Sequence, residues 1–207
     1  MSEPYSLIVS MPWNAEQFRE AFNTTQPLAR TYEDWSKTEL ECSDEILILT
    51  DRTASLTARA LFEAEREDSL EQGDWHFELG PGADGPPAMV RGPRFTFIKL
   101  LWRENQAEIL SSLAVLRGFA ASASRWEPAT PAFILVHDYV FGHHGTVGAL
   151  FAGGGTSKLY GPDAPEVGAL VSQMQPLADA HRDRIDAAYD ADEDPAAAVI
   201  DHFSQVV

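Results

Sequence analysis

The chain has 207 residues, with 32 Asp and Glu against 15 Lys and Arg, a formal net charge of −17. Such an excess repels nucleic-acid phosphates and anionic membrane surfaces at long range, and attracts basic proteins and metal cations. Hydrophobic residues make up 44% and charged residues 23%, close to the globular average, so the acidity reflects a shortage of cations rather than of core residues.

The length suits one domain. A single cysteine, Cys42, leaves no disulfide framework and no multi-thiolate site, which fits a reducing compartment. Near the start only residues 7–9 form a short apolar run, so no secretory leader is expected. The longest apolar stretches, 95–102 and 132–141, are interrupted by Lys99 and by His137-Asp138 and are too short for a bilayer. A cytoplasmic location is the expectation.

In chain order, residues 5–11 form an apolar run that ends at Pro12, and Asn14 stands three residues before Gln17, the pattern of a capping box that opens a helix through Phe22. Residues 28–43 carry Tyr32 and Trp35 among polar neighbours without a period, and residues 46–49 read as a buried strand. Over 55–71, Leu56, Ala60, Leu61 and Ala64 recur at helical spacing, with Glu63, Glu65, Glu67 and Asp68 crowding the end, which predicts an exposed amphipathic helix. Trp75, Phe77 and Leu79 alternate with His76 and Glu78 as in a half-buried strand, and residues 80–87 are a glycine and proline loop.

Residues 95–102 predict a strand, and residues 105–123 a helix with Ile109, Leu110, Leu113, Leu116 and Ala120 on one face. Residues 132–141 give the strongest strand signal, and Gly142-His143-His144-Gly145 links it to a second run, 146–151, as a β-hairpin that three glycines end at 153–155. Asp163 is placed to cap a helix from near Ala164, Pro176 to kink or split it, and Asp194-Pro195 to start a last helix with Ile200, Phe203 and Val207 buried. The expected class is α+β: a single mixed or mainly antiparallel sheet, helices mostly on one face, and a C-terminal helical pair. Residues 1–207 form one domain, with 163–207 as a C-terminal helical extension.

The first candidate for chemistry is the hairpin, where His137, His143 and His144 beside Asp138 offer donors for a divalent metal. Strand alternation sends His137 and Asp138 to opposite faces, so a polar turn is the better reading. Residues 153–158, Gly-Gly-Gly-Thr-Ser-Lys, hold the ingredients of a phosphate cradle without P-loop spacing. Cys42 lies among Glu41, Asp44 and Glu45, which disfavour a thiolate, and Ser157 sits in no nucleophile elbow. Asp74 and His76, two apart on a strand and so able to share one face, are the best-placed candidates for a general acid/base pair. No catalytic residue is assigned, no cofactor fingerprint is present, and the balance leans away from an enzyme.

The charge is segregated: residues 1–90 hold 18 acids and 6 bases, residues 91–160 hold 4 and 7, and residues 161–207 hold 10 and 2. This favours a protein-binding module, immunity- or antitoxin-like, that recognises a basic partner. Its interface would draw on Trp13, Tyr32, Trp35 and Trp126 as anchors and on Glu63, Glu67, Asp190 and Asp192 as charges. The alternatives are a small enzyme or metal- and ligand-binding domain at the 137–144 hairpin, and a nucleic-acid mimic. A small basic pocket around Arg91, Arg94 and Lys158 is expected opposite the acidic surface.

Overall fold

Strands β1 (Tyr5–Pro12), β2 (Trp75–Gly80), β3 (Arg94–Arg103), β4 (Ala132–His137), β5 (Thr146–Gly153) and β6 (Thr156–Tyr160) form one antiparallel sheet in the order β2-β3-β1-β4-β5-β6. Helices α1 (Ala15–Asn23), α2 (Ala58–Asp68) and α3 (Gln106–Ala123) cover one face, and α4 (Pro165–Asp190) crosses the other. This is the α+β class, with three of the four helices on one side. The computed structural model describes residues 4–38, 40, 43, 47–48, 57–68, 75–80, 93–125, 131–142, 145–194 and 199–201.

Because both faces are covered, the central strands are apolar in both directions, as strands in covered sheets are. In β1, Leu7, Val9 and Met11 face the three helices while Ile8 faces α4. The three-helix side is built from rings: Phe62 of α2 lies 5.0 Å from Phe97, 5.3 Å from Phe77 and 5.7 Å from Phe95. Phe18 and Phe22 of α1 and Phe119 of α3 extend the same cluster. Edge and offset ring contacts of this kind add about 0.5–1.5 kcal/mol per pair beyond burial.

Local signals explain most of the boundaries. Asn14 Oδ1 accepts from the Gln17 N–H at 3.3 Å and starts α1, and Asn105 Oδ1 accepts from Ala107 and Glu108 and starts α3. β5 ends at Gly153, and Gly154 and Gly155, with positive φ of 59° and 80°, make the tight turn into β6. Asp138 is buried, and its Oδ1 accepts from the N–H groups of Val140 and Phe141. That Asx turn stops β4 at His137, short of the expected residue 141.

Three other expectations are corrected. Leu47 and Ile48 are helical, and Ile48 is 49% exposed, so the apolar run at 46–49 is not a buried strand there. Helix α4 is not split at Pro176, and it starts at Pro165 after Ala164 with no side-chain cap, in place of a cap by Asp163. Val199 and Ile200 are not helical, and the Phe77 N–H donates to the Ile200 carbonyl at 2.8 Å, so the chain there returns to β2. The C-terminal end is therefore one described helix, and residues 195–198 and 202–207 of the expected second one lie outside the described residues.

Candidate protein-docking site

The last turns of helix α4 meet the end of β3. The side chains of Leu100, Leu101, Val140, Arg182, Ile185, Asp186 and Tyr189 line a groove of about 370 Å³ there. Leu101 is 37% exposed and Tyr189 60%, so two of the large exposed apolar side chains among the described residues meet in this groove. Arg182 is held across the groove by two contacts: Nη2 donates to Asp179 Oδ1 at 2.6 Å and Nη1 to the Tyr139 carbonyl at 3.4 Å. The Tyr139 hydroxyl donates to the Val171 carbonyl, and burial together with the Asp179 charge pushes its pKa well above the usual tyrosine value.

One acid, Asp186, lines the groove beside Arg182. Asp183 and Asp190 are also exposed on α4, and Asp192, Glu193 and Asp194 follow the helix, which has no basic residue in its last turn. Carboxylates at a helix C-terminus sit against the negative end of the macrodipole, a cost of about 0.3–1 kcal/mol per charge at low salt. Asp192, at φ 55°, closes the helix with its N–H donated to the Tyr189 carbonyl.

On the three-helix side, buried charges are compensated inside the protein. Glu65 of α2 accepts from Lys99 Nζ at 2.9 Å, from Trp102 Nε1 at 3.1 Å and from Arg103, which also reaches Glu108. Burial lowers the Arg103 pKa, but Glu65 and Glu108 outweigh it and leave the value raised. Arg117 of α3 donates to Asp34 Oδ1 at 2.6 Å and to Ser157 Oγ at 2.9 Å, and stacks 3.9 Å from the Tyr32 ring centre. Burial acts to raise the Asp34 pKa, but the Arg117 guanidinium and the Leu159 N–H overcome it and hold the carboxyl below its ordinary value. At Gly118 an added Cβ would stand 2.6 Å from Gln26 Oε1 and from Pro27 Cδ, which is how the 26–35 segment lies so close on α3.

His76 is enclosed between β2 and α4, with Nε2 at 3.0 Å from Glu78 and Nδ1 at 3.3 Å from Arg184 Nη2. A guanidinium can only donate, so Nδ1 accepts and the proton sits on Nε2 facing Glu78. Asp74, its expected partner, lies outside the described residues, as do Cys42, Arg91, Trp126, His143 and His144. His137 pairs through Nδ1 with Thr146 Oγ1 at 2.7 Å, and burial lowers its pKa. Among the described residues no group of three or more His, Cys, Asp or Glu is placed to hold a metal ion.

Of the expected interface residues, Glu63, Glu67, Asp190 and Asp192 are partly or fully exposed, with Glu63 paired to Arg59 at 2.8 Å. Trp13 is partly buried against Phe18, and Tyr32 lies between Trp35 and Arg117. Trp35 is 2% exposed, with Nε1 donated to the Ala29 carbonyl, so its ring belongs to the core and not to the surface. The expected basic pocket is also corrected: Arg94 is buried on β3, and Lys158 is exposed on β6, with β1, β4 and β5 between the two strands.

The groove residues Leu101, Val140 and Tyr189 escaped sequence reasoning because they belong to three separate elements. Among the described residues no helix is long and apolar enough to cross a membrane. Comparison with protein-family models, with curated proteins and with solved structures gives no match.

Proposed function

We propose that this protein is a binding module that docks a basic protein partner on the α4 groove, as a toxin-neutralising, immunity- or antitoxin-like protein of the cytoplasm would. One observation carries the reading: exposed Leu101 and Tyr189 line a groove together with the carboxylate of Asp186, near a helix end whose last turn carries no basic residue. Cationic side chains arriving there relieve the repulsion with the helix dipole, and apolar side chains fill the groove. A nucleic-acid mimic would use the same carboxylates but would leave the apolar groove without a role.

The test is calorimetric titration with a synthetic amphipathic Leu/Lys helical peptide against the wild type and Tyr189→Asp. Binding that weakens with salt and is lost in the variant supports the reading. Binding that is equal or tighter in the variant, which is more acidic, means that charge alone attracts the peptide and rejects the groove.

A further inference from the structure

Three Lys or Arg side chains are buried among the described residues: Arg94, Lys99 and Arg117. Lys99 faces Glu65 and Arg117 faces Asp34, each with a carboxylate within 3 Å. Arg94, 2% exposed, has only neutral partners: Nε donates to Ser10 Oγ at 2.8 Å, Nη2 donates to the Pro131 carbonyl at 3.1 Å, and the Phe133 ring lies 5.6 Å away. Its Nη1 is buried without a hydrogen-bond partner. In a chain with twice as many acids as bases, the one buried cation lacking an acid is the anomaly.

We propose that Arg94, with the hydroxyls of Ser10 and Thr96, forms a binding site for the carboxylate of a small organic acid. The chemistry follows from what is left over. Nη1 keeps two hydrogens to donate, and Ser10 Oγ lies 3.3 Å from Thr96 Oγ1, so that hydroxyl pair can supply a further donor. One enclosed positive charge is matched by one negative charge, whereas a phosphate dianion would leave excess charge in a low-dielectric site, so a monocarboxylate is selected. The site lies about 20 Å along β3 from the Leu100 end of the groove, six residues at roughly 3.3 Å each, and is independent of partner docking.

The experiment is thermal melting and calorimetric titration with sodium acetate, against sodium chloride at equal ionic strength, for the wild type, Arg94→Met and Thr96→Val. The site predicts a saturable rise of several degrees in wild-type Tm with acetate but not with chloride, as expected for a ligand that binds only the folded state. It also predicts a weaker response in Thr96→Val and none in Arg94→Met, which without acetate melts no lower than the wild type because an apolar chain replaces an uncompensated ion. An equal response in Arg94→Met overturns the site. So does a wild type whose Tm ignores acetate. Should Arg94→Met not fold, the Arg94 Nε–H resonance of the wild type decides: a shift that saturates with acetate supports the site, and an unmoved resonance refutes it.

Discussion

Among the described residues, on the face under α1, α2 and α3 rings pack edge to face and both buried cations have a carboxylate from the same chain, whereas on the face under α4 a single helix leaves apolar side chains exposed, acids without a basic residue in its last turn, and Arg94 without an acid. The first arrangement satisfies itself. The second presents hydrophobic surface, negative charge and one buried positive charge, each of which gains from a partner or ligand. In the proposed reading, both faces carry a buried core, and the α4 face adds the surface for recognition.

The sharpest way to break this comparison is in the ring cluster. Phe62→Ala is expected to lower unfolding free energy by about 3–5 kcal/mol, while an alanine at exposed Tyr189 changes it by less than about 0.5 kcal/mol; chemical denaturation compares the two. Next come the buried ion pairs. Glu65→Ala leaves the buried Lys99 without its carboxylate and Arg103 with Glu108 alone, and should cost about 3–5 kcal/mol. Asp34→Asn should destabilise less, and with a defined pH dependence. Because the folded-state pKa of Asp34 is lowered, its contribution is full above the unfolded value of about 3.9 and is lost as pH falls through the folded value. The gap between wild type and Asp34→Asn in pH-dependent melting should therefore close in acid.

On the α4 face the effects belong to binding. Leu101→Asp is expected to weaken the basic amphipathic peptide at least tenfold in calorimetry with no loss of helical signal by circular dichroism. The smallest effect is expected at the helix end, where Asp190→Asn should raise stability by about 0.3–1 kcal/mol at low salt by relieving the dipole, and should also slow peptide association.

Much of the sheet was legible in the sequence because covered strands are continuous apolar runs and their helices carry a 3.6-residue period, as at 5–11, 95–102 and 105–123. The failures share a cause. The run at 46–49 looks the same as a buried strand or a helical turn, and only tertiary packing separates them. Glu65 stands among the acids that crowd the end of an exposed amphipathic helix, yet with Ala58, Leu61 and Phe62 it follows the i, i+3, i+4, i+7 pattern of the buried stripe, so the signal for it is present in the sequence. Asp34 with Arg117, and Ser10 with Arg94, were not readable, since each pair is separated by more than eighty residues. The groove was hidden for the same reason, being assembled from β3, the turn after β4 and the last turns of α4.

The most direct test of the central claim is the affinity of the Leu/Lys helical peptide for the wild type against Tyr189→Asp at equal ionic strength. Docking in the groove predicts at least tenfold weaker binding by the variant despite its extra negative charge. Equal or tighter binding would contradict the account and leave the acidity of α4 as a general attraction without a site.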